Sequence, residues 1–256
     1  MVMPDKVERV VALGASNLTR GFHTVVSTAR TVWGPQVQVL AALGHGRSYG
    51  TRSLFMFRSL PGILESGIWR ELESHPEVRT RALVTDVGND ILYSFSSARI
   101  LAWVEEAIVR LERYTKEIIL TDLPLGSIRR LSRTKFLAFR SILVPSCRLS
   151  LVQVLETSEK VNAGLAALAT AHGIRFFRLN PAWYGFDPIH IRPMAWRTAW
   201  QEILGCDDAG TVDGSSWSEG WKLYLLPQER RRVFGFERFN DQSGVALPLG
   251  ARVWLY

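Results

Sequence analysis

A serine that ends an apolar run is the first residue whose setting points to chemistry. Ser16 lies in the turn Gly14-Ala15-Ser16, directly after the non-alternating apolar run at residues 10–13. In α/β proteins such strand ends present nucleophiles, or hold anions at the start of the following helix. The turn alone leaves both open, and it also leaves open that Ser16 is only a helix N-cap.

Four further residues stand at or just beyond other predicted strand ends: Gly46, Asn89, Asp187 and His190. A serine hydroxyl needs an imidazole to remove its proton and an acceptor to orient that imidazole. The tetrahedral oxyanion needs donors that are fixed in advance, such as a backbone N–H or a side-chain amide. Taken singly, each residue also has a structural explanation, as a turn residue or as a glycine with positive φ.

Five apolar runs separated by helical segments must position these residues. The runs cover residues 8–13, 37–43, 81–87, 117–121 and 174–179, and helical spacing follows at 20–32, 97–116, 131–144, 156–171 and 192–204. Parallel neighbouring strands require crossovers of this length. We therefore expect an α/β fold, a three-layer α/β/α sandwich with a five-stranded, mostly parallel sheet whose sites lie at the carboxyl ends of its strands.

Two regions lie outside this regular alternation. Residues 54–73 predict a helix, a break at Pro61-Gly62 and a second helix beside the cleft. After residue 204, a polar loop or flap at 205–220 precedes short apolar runs at 223–226, 233–236 and 252–255, which read as strands. We expect an α/β domain at 1–204 and, at 205–256, a small C-terminal β-containing extension packed on the same domain. Segments 54–69 and 207–221 are the candidates for choosing the substrate.

Four short blocks resemble those of the SGNH (GDSL-like) serine hydrolases. In chain order they are Gly14-Ala15-Ser16 with Thr19 and Gly21, then Gly46-Arg47-Ser48, Gly88-Asn89-Asp90 and Asp187-Pro188-Ile189-His190. The resemblance covers residues 8–204, and it implies a flavodoxin-like fold without a metal or an organic cofactor. By that resemblance Ser16 is the nucleophile, His190 the base and Asp187 its orienting partner. The oxyanion hole would consist of the Ser16 and Gly46 N–H groups and the Asn89 amide.

Two residues depart from the family pattern. Ala15 stands where the first block normally has Asp, which changes the hydrogen bonding of the turn but removes no member of the catalytic set. In the second block, either Gly44 or Gly46 could supply the oxyanion donor. Gly46 is preferred because Gly-Arg-Ser more closely matches the family's Gly-Asp-Thr. His45, between them, is expected to be a solvated turn residue, with contact to the substrate as the alternative.

Composition restricts the class of protein. Of the 31 basic residues only five are Lys, the formal charge is +7, and the arginines are scattered, so no specific nucleic-acid binding is expected. Cys147 and Cys206 lack metal-type spacing, which argues against both a disulfide framework and a zinc site. No apolar run is long enough to insert into a membrane, and no signal peptide is recognisable, so a cytoplasmic location is expected. The oligomeric state is left open.

The expected function is that of a serine esterase or acyl-hydrolase acting on a small-molecule carboxylic ester, an acetyl ester or thioester included, through an acyl-enzyme on Ser16. One alternative is a catalytically inactive protein that keeps the fold and uses the cleft to bind a ligand or partner. Another is a phosphate or nucleotide site at the Gly14 and Gly44 turns. It explains neither Asp187 nor His190, and neither turn has dinucleotide-binding or P-loop spacing.

Overall fold

The structure is a computed structural model that describes residues 7–144, 147–206 and 217–256. Its strands are β1 (Glu8–Leu13), β2 (Gln38–Ala42), β3 (Ser53–Phe55), β4 (Arg58–Leu60), β5 (Arg79–Val84), β6 (Ile118–Thr121), β7 (Arg175–Phe177), β8 (Arg230–Val233), β9 (Phe236–Phe239), β10 (Val245–Ala246) and β11 (Arg252–Leu255). Its α-helices are α1 (Ser16–Arg20), α2 (Phe22–Trp33), α3 (Ile68–Ser74), α4 (Asn89–Leu92), α5 (Ser97–Leu111), α6 (Leu125–Ile128), α7 (Arg133–Leu143), α8 (Leu151–His172), α9 (Trp196–Leu204) and α10 (Trp217–Leu225).

The central sheet has seven strands in the order β10-β11-β2-β1-β5-β6-β7. All its pairings are parallel except that of β10 with β11. The five predicted strands are present as β1, β2, β5, β6 and β7, but the five-strand count is wrong. The C-terminal run 252–255 forms β11, which pairs with β2 and thereby satisfies backbone groups that would otherwise form a sheet edge.

Helices cover both faces of this sheet, and most side chains of its inner strands are buried. Along β1, Val11 packs into one apolar cluster with side chains of α5 and α8, while Val10 packs into another with side chains of α2 and α9. This arrangement explains why the apolar run does not alternate with polar residues. The result is the expected three-layer α/β/α architecture.

A second, antiparallel sheet of four strands lies outside the predicted architecture, in the order β3-β4-β8-β9. The prediction of two helices over residues 54–73 is wrong in its first half, where β3 and β4 form a hairpin. The second half contains a short 3-10 turn at Ile63–Glu65, followed by the helix α3. The reason is a long-range contact: β4 pairs with β8, with Ser59 opposite Arg232. No local pattern reveals such a partner.

The C-terminal runs also divide differently from the prediction. Residues 223–226 are not a strand, because 223–225 belong to α10. The run 233–236 spans a tight turn between β8 and β9, where Phe234 and Gly235 both have positive φ (49° and 85°). Two successive positive φ values are typical of the turns that join twisted hairpin strands.

The predicted helices are present with shifted ends. Helix α8 begins at Leu151, five residues before the predicted start, because Ser150 and Gln153 form a capping box. It ends, as predicted, at Gly173, which takes the left-handed conformation with φ 63°. Within the described ranges, no helix combines the length and apolar character needed to cross a membrane.

Candidate active site

Ser16, His190 and Asp187 are joined by a continuous chain of hydrogen bonds. Ser16 is the first residue of α1, immediately beyond β1, and the other two lie on the loop that follows β7. The distance between His190 Nε2 and Ser16 Oγ is 2.9 Å, and that between His190 Nδ1 and Asp187 Oδ2 is 2.6 Å. Because a carboxylate only accepts, Nδ1–H donates to Asp187 and Nε2 is left to accept from the serine hydroxyl.

The carboxylate of Asp187 is itself fixed by its own loop. Its Oδ1 accepts hydrogen bonds from the N–H groups of Ile189 and His190, both at 3.2 Å. Burial by itself raises the pKa of Asp187, but the hydrogen bond and charge of His190, the Ile189 N–H and the Arg20 charge together hold that pKa below its ordinary value. An ionised carboxylate therefore faces the imidazole.

Gly46 and Asn89 line the same small cleft as Ser16 and His190, with a volume of about 40 Å³. Gly46 has a φ of 67°, which favours glycine, and its carbonyl accepts a 2.6 Å hydrogen bond from the Tyr93 hydroxyl. The Asn89 amide donates only a long 3.4 Å hydrogen bond, to the Arg47 carbonyl. Since the amide NH₂ group has two N–H donors, at least one of them is free to bind a group in the cleft.

Gly44 does not line this cleft. A Cβ at that position would lie 2.2 Å from Leu60 Cδ1, so the glycine is needed for packing against β4. The placement favours Gly46 as the donor of the second block. Arg47, which follows it, is fully buried, and its guanidinium donates to the backbone oxygens of Pro61, Leu43 and Tyr256.

Asp86 is a site residue that the sequence reasoning missed. Its Oδ2 accepts hydrogen bonds from the N–H groups of Ala15 and Leu18, each at 3.0 Å, and its Oδ1 accepts one from the Asn17 amide at 2.9 Å. Ala15 cannot supply a carboxylate to this turn, so Asp86 supplies it from the end of β5. Its backbone has a φ of 60°, a strained value for a residue with a side chain.

Asn17 was also missed, and it connects the serine turn to the histidine loop. Its amide donates to the Ile189 carbonyl (2.9 Å), and its side-chain oxygen accepts from the Ile191 N–H (2.8 Å). These bonds flank His190 on both sides, so the positions of the hydroxyl and the imidazole are coupled. The sequence signal for Asp86 was a charged residue inside the predicted apolar run 81–87, which the structure ends at Val84. Asn17 carried no such signal.

Tyr49 and Asp90 hold the second and third blocks together. The Tyr49 N–H donates to Asp90 Oδ2 at 3.0 Å, and the Tyr49 hydroxyl donates to the Thr85 carbonyl at 2.7 Å. Burial raises the pKa of Asp90 to about 6, against the lowering effect of hydrogen bonds from Ser48 and Tyr49. The turn that carries Gly46 is therefore tied to the one that carries Asn89.

An apolar pocket of about 100 Å³ opens on one side of Ser16 and Asn89. Its wall away from the sheet is built mainly from α6, α7, α8 and the segment between α6 and α7, by Ile128, Leu131, Phe136, Phe139 and Val154. Asp122 lies at its edge, where burial raises its pKa to about 6 although its Oδ1 accepts a hydrogen bond from the Leu179 N–H. Such a pocket suits a short hydrocarbon chain.

His45 lies in the opposite wall of the cleft instead of in open solvent. Its ring is half-buried, with its centroid 5.5 Å from that of Phe55. Burial, with the charges of Arg20, Arg58 and His190, lowers the pKa of His45 to about 4, so the imidazole is neutral near pH 7. Segment 54–69, a candidate for choosing the substrate, reaches the cleft through Phe55. Residues 207–216 of the expected flap lie outside the described residues.

Among the residues that the structure describes, no group of three or more His, Cys, Asp or Glu side chains is arranged to hold a metal ion.

Comparisons with known proteins bear on the fold. No family model and no curated protein sequence matches the chain. One crystal structure aligns with 78% of this chain and 99% of its own, at a TM-score of 0.50 and 17% identity. The psychrotrophic esterase EstA from Pseudoalteromonas sp., inhibited by monoethylphosphonate, aligns over 77% of this chain and 96% of its own, at a TM-score of 0.45 and 9% identity. TesA aligns over 77% of this chain and 97% of its own, at a TM-score of 0.46 and 12% identity. The first likeness shows a shared α/β fold alone, and the two lower scores carry no argument about function.

Proposed function

We propose that the protein is an SGNH-type serine esterase that cleaves a carboxylic ester through an acyl-enzyme on Ser16. The observation that carries this proposal is the hydrogen-bonded chain Ser16–His190–Asp187, in which each atom has the donor or acceptor role that the chemistry requires. The buried setting of Ser16 and His190, 8% and 5% exposed, strengthens the electrostatic interactions between them.

The reaction follows from these roles. His190 Nε2 takes the Ser16 proton as Oγ bonds to the ester carbon, and the carbonyl electron pair moves onto oxygen, where the Ser16 and Gly46 N–H groups and the Asn89 amide stabilise it. The bond to the alcohol oxygen then breaks, and that oxygen takes the proton from His190. Water repeats the sequence on the acyl-enzyme, with Ser16 as leaving group, and releases the acid.

The two sides of Ser16 have different tasks in this mechanism. The alcohol oxygen must lie within hydrogen-bond reach of His190 Nε2, because that atom returns the proton. His190 lines the cleft with Gly46 but does not line the apolar pocket. The acyl chain is therefore assigned to the apolar pocket and the alcohol to the side of His190.

The direct test is covalent labelling by a serine-directed alkyl phosphonate. We expect one adduct on the intact protein, mapped to Ser16 by peptide mass spectrometry, together with hydrolysis of 4-nitrophenyl butyrate. The control is Ser74→Ala, which removes an exposed hydroxyl at the end of α3 and should leave labelling unchanged. Labelling at any other serine, or none in protein that is folded by circular dichroism, would contradict the proposal.

The size of the apolar pocket predicts a chain-length optimum. A cavity of about 150 Å³ binds benzene, and a water takes about 30 Å³ in the liquid, so a pocket of about 100 Å³ holds about three methylene-sized groups beyond the carbonyl. We expect kcat/KM for 4-nitrophenyl esters to peak between butyryl and hexanoyl and to fall for decanoyl.

Leu131→Trp tests this assignment by filling the pocket. We expect it to lower kcat/KM for the hexanoyl ester by about tenfold or more, and for the acetyl ester by far less, since one methylene in an apolar pocket is worth about 1–3 kcal/mol. Leu137→Trp, which adds the same bulk on the exposed face of α7, is the matched control. An unchanged chain-length profile in Leu131→Trp would place the acyl chain elsewhere.

A further inference from the structure

Next to the cleft lies a second pocket of about 270 Å³. Arg20 and His45 line both cavities, so the two are adjacent. The far wall is formed by α10, through Leu223 and Tyr224, and by β8 through Arg231. In the proposed mechanism the alcohol part of the ester lies in the cleft beside His190, and from there it can extend into this second pocket.

The charged side chains that line this pocket are all basic. Arg20, Arg58 and Arg231 line it, and none of its described lining residues is acidic. Arg58 and Arg231 form no ion pair within the described ranges, and Arg231 Nε is buried without a hydrogen-bond partner there. Arg20 has one carboxylate nearby, that of Asp187 at 3.9 Å.

Strand register brings two of these arginines together. Arg58 on β4 stands opposite Val233 on β8, so Arg231, two residues before Val233, lies on the same face of the sheet. Burial and the charge of Arg231 both lower the pKa of Arg58. Placing two half-buried guanidinium groups side by side is unfavourable unless an anion lies between them.

Three nearby arginines, Arg52, Arg230 and Arg232, do have acceptors. Arg52 and Arg230 both contact Glu237, at 3.2 and 3.5 Å. Arg232, on the opposite face of β8 from Arg231, donates from Nε to the Gly235 carbonyl at 2.7 Å. Arg58 and Arg231 face the pocket without an acceptor within the described ranges. Arg238, opposite Arg231 on β9, has none there either, but it is exposed and does not line the pocket.

We propose that this pocket binds an anionic group, a phosphate or a carboxylate, carried by the alcohol part of the ester substrate. The planar guanidinium forks of Arg58 and Arg231 match the oxygens of either group. Arg20, at the junction with the cleft, would contact the same group or the linker next to it. The proposal rests on the proposed function for the orientation of the ester, but the anion site itself stands on the pocket and its charges.

The test compares esters that differ only in charge on the alcohol side. One pair is 4-nitrophenyl butyrate and its 3-carboxy derivative, and the other is monobutyrylglycerol and its glycerol phosphate counterpart, all at one ionic strength. We expect the anionic member to have the higher kcat/KM by about tenfold or more. The pair with the larger ratio distinguishes carboxylate from phosphate.

Four variants locate the effect. In Arg58→Gln and Arg231→Gln the ratio of anionic to neutral kcat/KM should fall by about tenfold, with Arg231→Lys retaining part of it because the charge is kept. Arg232→Gln removes the same charge from the opposite face of β8 and should leave the ratio unchanged. A ratio near one in the wild type, or an equal fall in Arg232→Gln, would overturn the proposal.

Binding of inorganic phosphate separates this proposal from the function on which it rests. Calorimetric titration of Ser16→Ala needs no turnover, and we expect binding that is lost in Ser16→Ala/Arg58→Gln/Arg231→Gln. Such binding without any ester hydrolysis by the wild type would contradict the esterase proposal and leave the anion pocket standing. If the wild type hydrolyses the neutral esters but shows neither a preference for the anionic ester nor phosphate binding, the anion pocket is contradicted and the esterase proposal stands.

Discussion

Ser16→Ala is expected to lower kcat/KM for 4-nitrophenyl butyrate by at least about 10⁴-fold. Without Oγ no acyl-enzyme forms, and removing the nucleophile of a serine hydrolase can cost about 10⁶ in kcat. Fold stability should change little, because the substitution removes one oxygen at the surface of the cleft. The measurement is steady-state hydrolysis, with thermal unfolding recorded on the same preparation.

His190→Ala should reduce the rate as severely as Ser16→Ala, and the double variant should be no slower than either single one. The reason is that Oγ and Nε2, 2.9 Å apart, act as one unit, so once one is gone the other contributes nothing. Additive losses in the double variant would mean that the two residues act separately. Activity in Ser16→Ala within tenfold of the wild type would exclude the acyl-enzyme mechanism.

Asp187→Asn is expected to lower kcat by about 10³–10⁴-fold with an intact fold. The Asn oxygen can still accept from the Ile189 and His190 N–H groups, so the loop keeps its shape. Its NH₂ group, however, faces Nδ1, which must then accept, and the ring proton moves to Nε2. In that tautomer His190 cannot take the Ser16 proton.

The dependence of this defect on pH follows from the pKa of Asp187. That pKa lies below its ordinary value, so the wild-type carboxylate is ionised at every pH above about 5. The ratio of wild-type to variant kcat should therefore be large over that range, and titration of Asp187 itself should not alter it. Asp241→Asn, an exposed carboxylate on the C-terminal chain, is the control and should have no effect. A loss below tenfold in Asp187→Asn would remove Asp187 from its proposed role.

The central sheet and the candidate triad were predictable because they depend on local patterns and on one general rule. Each central strand from β1 to β7 is an apolar run followed by a turn, and the carboxyl ends of parallel strands meet at one edge of the sheet. Ser16, Asn89 and the Asp187/His190 pair all follow such ends. Their types and order were therefore enough to place them together before any contact was known.

Features that depend on distant pairing were not predictable in the same way. Short apolar runs have no period that separates a strand from part of a helix. For that reason residues 223–225, which belong to α10, and residues 54–60, which belong to the β3–β4 hairpin, were predicted wrongly. Only the pairing of β11 with β2, and of β4 with β8, decides where the C-terminal chain lies. These partners are more than 150 residues apart in the chain.

The sequence by itself determined the types of group at the catalytic edge, since strand ends and turns are encoded locally. Tertiary structure alone decided that Asp86 supplies the carboxylate Ala15 lacks, because that role requires a positive φ at the end of a neighbouring strand. It also decided that Arg58 and Arg231 share a face beside the cleft. That placement follows from the antiparallel register of two strands, which neither strand specifies alone.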